Sequence, residues 1–212
     1  MRTRHQLLFS VLLAFPLFTL AYNPTVNVVE SAYQPKVVNS IEMPSEFLGE
    51  LAGDPHLYAF SLGRPTKLTV SLSRLASDED WPLALLVVKD NDHLGLEEVF
   101  RQAPVEMNWQ TKKDRALNLV FDNSTPAIIE LPAGNYKLEV STLDNQGRYV
   151  LHFGDETGAQ GYFSTLRSLK IYQNFFGGSV LAWLGSSYVY YPLGAILVLA
   201  AFIFYRTRRK FK

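Results

Sequence analysis

The sequence predicts a mostly β protein, with an antiparallel β-sandwich ectodomain, a juxtamembrane helix and one C-terminal transmembrane helix. Three observations carry that expectation. Residues 188–205 (YVYYPLGAILVLAAFIFY) form an uncharged apolar run, and five cations follow in residues 206–212. Between residues 49 and 154, short segments alternate apolar and polar side chains and are broken by Gly, Pro, Asn and Asp, the pattern of strands joined by turns. No helical period competes over that span.

At the N-terminus, Arg2 and Arg4 precede the apolar run Leu7–Leu20, which Pro16 interrupts and Ala21 follows. A basic start, a short apolar stretch and a small residue at the end predict a signal peptide over 1–21, cut after Ala21. An uncleaved anchor is the other reading, but 14 residues fall short of the roughly 20 that a spanning helix needs. Residues 22–48 read as an extended lead-in punctuated by Pro24, Pro35 and Pro44, with Val26–Val29 and Lys36–Val38 as possible edge strands.

The sandwich is expected over 49–154. His56–Leu62 sets Tyr58, Phe60 and Leu62 on one face, and Thr66–Leu72 does the same with Leu68, Val70 and Leu72. Pro82–Val88 is continuously apolar, as in a strand covered on both faces. Ala116–Phe121, Ala127–Leu131, Tyr136–Val140 and Tyr149–Phe153 complete the series. Phe60, Val70, Leu86, Leu119, Leu138 and Leu151 are the side chains expected between two sheets.

Residues 155–187 form the juxtamembrane segment. A helix over 162–176 puts Tyr162, Leu166, Leu169, Tyr172 and Phe176 on one face, with Arg167, Lys170 and Asn174 opposite. That face suits either the base of the sandwich or the bilayer surface. The run 188–205 rises about 27 Å, close to the hydrocarbon thickness of a bilayer. It contains no ionisable group other than tyrosine, so it reads as an anchor and not as a transport segment. Trp183, Tyr188, Tyr190 and Tyr191 suit the outer interface, and the basic tail 206–212 marks the cytoplasmic side.

Formal charge sums to zero, but unevenly. Seven of the 20 basic residues lie in 1–21 or 206–212, whereas all 20 acidic residues lie in 22–205. The exported part therefore holds 13 basic against 20 acidic residues, a net of −7. A surface of that sign does not attract nucleic acid. The chain has no cysteine, which rules out disulfides, thiol nucleophiles and thiolate metal sites. With the membrane topology, this points to the bacterial periplasm.

Two segments carry a family resemblance. Leu131–Val140 (LPAGNYKLEV) with Gly147–Leu151 (GRYVL) resembles the closing hairpin of bacterial pre-peptidase C-terminal domains. Gly49-Glu50-Leu51 leading to Asp54–Phe60 (DPHLYAF) is similar to their opening, and Leu83–Asn91 to their central strand and turn. The resemblance covers about 49–153. It implies a jelly-roll-like sandwich, non-catalytic, that binds polymers or partners in some members. Those domains accompany secreted enzymes, whereas here a membrane helix follows.

Chemistry-bearing residues are few. Asp78-Glu79-Asp80 and Asp90-Asn91-Asp92-His93 are the acidic clusters, and Trp81 adjoins the first. Carboxylates at this spacing suit either solvated turns or a Ca²⁺ loop, but the Gly and distal Glu of an EF-hand are missing. His56, His93 and His152 show no spacing that shares a face, and His152 is expected at the surface. No Gly-x-Ser-x-Gly elbow, phosphate loop or dinucleotide fingerprint occurs, so no catalytic, cofactor or metal residue is nominated. Loops at the ends of a sandwich are the natural recognition surface. The candidate recognition residues are Trp81, Asp78, Asp80, Asp90, Asp92 and His93. The expected role is binding or scaffolding of another envelope protein or a surface polysaccharide. An accessory subunit of a membrane complex acting through 161–205, or an unrecognised hydrolase, are the alternatives.

Overall fold

The computed structural model describes residues 19–20, 24–26, 34–42, 44–78, 81–91, 95–154, 159–160, 162–177 and 184–208. Most of the predicted leader, along with Glu79, Asp80, Asp92, His93, Trp183 and the tail beyond Arg208, lies outside those residues. The strands are β1 (Thr19–Leu20), β2 (Pro24–Val26), β3 (Lys36–Val37), β4 (Ser45–Ala52), β5 (His56–Leu62), β6 (Thr66–Leu75) and β7 (Ala84–Asp90). They continue with β8 (Leu96–Gln102), β9 (Trp109–Asp114), β10 (Leu119–Ser124), β11 (Ala127–Leu131), β12 (Gly134–Ser141), β13 (Gln146–Phe153) and β14 (Ala159–Gln160). Two helices follow, α1 (Tyr162–Phe175) and α2 (Ser187–Arg208).

Period-two alternation builds the sandwich. One sheet runs β2-β4-β13-β6-β10-β9, with β11 beside β10 on the same edge of β6, and the other runs β3-β5-β12-β7-β8. Pairing is antiparallel except where β2 and β3 join parallel at the edges. Phe47, Tyr58, Phe60, Leu68, Val70, Leu72, Leu85, Leu138, Leu151 and Phe153 fill the space between the sheets. At the break between β10 and β11, Ser124 Oγ accepts the Leu72 amide proton at 2.9 Å, so the ladder loses no bond there.

A second apolar layer covers the outer face of the β4–β13–β6–β10 sheet. Leu48, Val150, Leu75 and Phe121 point outward and meet Leu169 and Tyr172 of α1 and Phe176 just after it. Buried positions on α1 recur at 165, 168, 169, 172, 173 and 176, the helical period expected of a docked face. So α1 packs on the sandwich. Arg167, Lys170 and Asn174 are exposed, as the sequence predicts.

Several expectations need correction. Strand β4 starts at Ser45, inside the predicted lead-in, because Glu46 and Leu48 lie under α1 and blur the alternation. Strands β8 and β9 were not anticipated. They are edge strands, largely exposed and rich in Glu, Gln and Lys, so no apolar period marks them. Leu86 is half-buried on the outer face of β7, where Leu83, Leu85 and Val87 take the core side. Leu119 packs under α1 and not between the sheets. The strands closed on both faces are the ones under α1: Tyr149, Val150 and Leu151 of β13 are all buried, as are Phe47 and Leu48 of β4 and Leu72 to Leu75 of β6.

Helix α2 has 22 residues, about 33 Å at 1.5 Å per residue. It is apolar enough to cross a membrane, and none of its apolar window is buried in the molecule. Pro192 interrupts its hydrogen-bond ladder within the first turns. Its first turn is tied to the sandwich: Ser187 N donates to Arg115 O at 3.1 Å, and Ser186 Oγ donates to Ala116 O. The β9–β10 turn therefore defines the helix-proximal end of the sandwich, and the β5–β6 and β11–β12 turns define the distal end.

Candidate functional site

The sequence candidates among the described residues, Asp78, Trp81 and Asp90, do not all converge. Asp78 and Trp81 precede β7 and Asp90 ends it, so about 20 Å of strand separates them. Asp80, Asp92 and His93 are outside the described residues.

At the helix-proximal end, Asp78 is engaged. Arg148 Nη2 donates to both of its carboxylate oxygens, at 3.1 and 3.2 Å, and Arg148 Nη1 donates to Phe175 O at 3.2 Å. The guanidinium also lies over the Phe176 ring, 5.5 Å from its centroid. One arginine thus joins a sandwich loop to the carbonyl end of α1, where a positive charge is favoured. Trp81 is half-buried with its indole against Gly147, whose φ of +116° and missing Cβ permit the approach. Its carbonyl accepts from Arg74 Nη1 at 2.9 Å. Both residues hold the proximal end together.

The distal end is freer. Asp90 pairs with Lys137 at 2.8 Å, and Asn91 Nδ2 donates to Glu97 Oε2 at 2.9 Å across the turn. Beside the β5–β6 turn, Ile41, Glu42, Arg64, Pro65, Thr66, Lys67, Thr69 and Gly154 line an open cleft of about 480 Å³. Arg64 and Glu42 pair across it at 3.0 Å and both stay exposed.

The sequence did not point to two buried polar groups. In the first, Tyr149 Oη bonds His56 Nδ1 at 2.7 Å and Tyr58 Oη at 2.8 Å. Burial, with Tyr58 adding to it, pushes the Tyr149 phenol well above its usual range, and burial lowers the His56 pKa below 6.5. In the second, Ser73 Oγ meets His152 Nε2 at 2.8 Å and His152 Nδ1 meets Glu46 Oε1 at 3.1 Å. Tyr172 donates from α1 to Glu46 Oε2 at 2.8 Å. His152 is therefore covered and not at the surface, because α1 roofs that face of the sheet.

The Ser73–His152–Glu46 order is that of a hydroxyl–imidazole–carboxylate relay. Its surroundings do not suit acyl transfer. Ser73 is 3% exposed and donates to Asn123 Oδ1 at 2.6 Å. Its strand pairs on both edges there, which leaves no spare amide pair for an oxyanion. What this group does here is hold α1 to the sheet. Only strand register reveals it, since Glu46 and His152 are cross-strand partners 106 residues apart. Among the described residues no group of three His, Asp or Glu is placed to hold a metal ion.

No protein-family model matches the chain, and no curated protein matches it in sequence. Among solved structures it is similar to the pre-peptidase C-terminal domain of a collagenase from Bacillus anthracis, at 14% identity and a TM-score of 0.37. That match covers 57% of this chain and 93% of the other. The function proposed below rests on this chain's own residues.

Proposed function

We propose that this chain is a non-catalytic, single-pass envelope protein whose exported sandwich binds or scaffolds another envelope protein or a surface polysaccharide through its distal end. One observation carries the reading. The proximal end is occupied by its ties to α1 and α2 through Arg148, Ser186 and Ser187, which leaves the distal turns and the Arg64–Glu42 cleft as the free surface. A role for 161–205 alone has less support, since α1 commits its apolar face to the sheet. In the proposed topology α2 spans the inner membrane, the sandwich is periplasmic and Arg206–Lys212 are cytoplasmic.

Site-specific photo-crosslinking in cells tests the proposal. Probes at Arg64 and Asn91 are expected to yield a discrete adduct or polysaccharide linkage that a probe at Asp144, in the proximal β12–β13 turn, does not give. Equal labelling at both ends, or none at the distal sites, removes the proposal's basis.

A further inference from the structure

The β9–β10 hairpin stands out by charge. Residues 109–119 hold Lys112, Lys113 and Arg115 against Asp114, a local +2 in an exported part whose remaining residues sum to −9. All three cations are exposed, and none has an ion-pair partner among the described residues. Asp114 folds back over the hairpin's own turn, where its Oδ1 accepts the amide protons of Ala116 and Leu117 at 2.7 and 2.9 Å. The nearby Asp122 is engaged by Arg74 and by the Thr111 hydroxyl.

This cationic hairpin is also the part of the sandwich bonded to the first turn of α2. If α2 spans a bilayer, as the preceding section proposes, the hairpin tip lies at the level of the lipid headgroups. Lys112 and Lys113 lie within roughly 10 Å of the tip, about one Debye length at physiological salt. Exposed acidic residues of the same end, Asp54 and Asp144, sit on other loops. A charged surface beside the membrane therefore acts on the two sides of this end in opposite directions.

We infer that the β9–β10 hairpin is a headgroup-binding edge. Lys112, Lys113 and Arg115 take the phosphates of anionic lipids in the outer leaflet, and the sandwich leans on β9 with its acidic loops raised. The attraction is electrostatic, scales with the anionic fraction and weakens as salt shortens the screening length. Its consequence is orientation: the lean sets the direction in which the distal end faces.

The absence of cysteine makes the test direct. Full-length chain carrying a fluorophore at Gln110→Cys or at Leu143→Cys is placed in nanodiscs of phosphatidylcholine alone or with phosphatidylglycerol, with a headgroup quencher. Gln110 is expected to be quenched more in anionic than in neutral discs and more than Leu143. The excess disappears in 1 M salt and in the Lys112→Glu/Lys113→Glu/Arg115→Glu variant, whose circular dichroism is unchanged. Quenching at Gln110 that ignores lipid charge, or matches Leu143 throughout, overturns the inference while α2 remains a span. Chain that does not enter discs at all overturns both it and the proposed topology.

Discussion

Gly49 shows how one residue is dictated by packing and not by backbone conformation. It sits across from Tyr149 in the β4–β13 ladder, and a Cβ there would overlap the phenol ring. Gly49→Ala is expected to cost about 1–3 kcal/mol by overpacking, read as a lower urea midpoint. Tyr149→Phe keeps the ring but removes the hydroxyl's bonds to Tyr58 and to the ring nitrogen of His56, for about 1–3 kcal/mol. His56 itself gives a pH signature. Its folded pKa is lowered by burial, so the folded state disfavours the proton that the unfolded chain accepts. Stability is full above the ordinary value of 6.5 and declines as pH falls from there toward the folded value. His56→Gln should flatten that part of the stability–pH curve, and an unchanged slope would assign it to other groups.

Among the elements, α1 is held to the sandwich by polar ties in its C-terminal half. Tyr172 reaches Glu46 from the last turns, and Arg148 takes the Phe175 carbonyl while pairing with Asp78. Asp78→Asn leaves Arg148 half-buried without its anion, and about 1–3 kcal/mol is expected to be lost. The loss should appear first as faster hydrogen exchange in 169–176 while β5, β7 and β12 stay protected. Leu138→Ala, by contrast, removes a fully buried side chain from the central core and should cost about 2–5 kcal/mol across all strands together. The two variants therefore separate the helix layer from the sandwich proper.

At the scale of the molecule, the helix layer decides where the folded domain ends. A soluble fragment 22–160 exposes Leu48, Phe121 and Val150, whereas 22–177 keeps Leu169, Tyr172 and Phe176 over them. Burying such side chains contributes about 1.5–3 kcal/mol each. The longer fragment is expected to melt well above the shorter one and to bind less of an apolar dye. The full chain tests topology: a cytoplasm-dependent reporter after Lys212 should be active, and N-terminal sequencing should start at Tyr22. A first residue of Met1 would show that the leader is retained.

Apolar periodicity by itself determined much of this protein. Strands such as β5, β6, β12 and β13 follow from alternating side chains that only a two-sheet core satisfies, and α2 follows from length and the absence of charge. The helical face of α1 was legible too, but its destination was not, since sandwich and bilayer offer an apolar face the same transfer free energy. Only tertiary structure shows that Val150 and Phe121 await it. Edge strands β8 and β9 escaped notice because most of each is exposed, and the few side chains that pack on the core, Val99, Phe100 and Trp109, set no alternating period. Relations across the sheet were equally hidden: Asp78 to Arg148, Glu46 to His152, and the cationic hairpin to the first turn of α2. Each joins residues brought together by strand register or docking, and a linear pattern carries no record of which strands lie side by side.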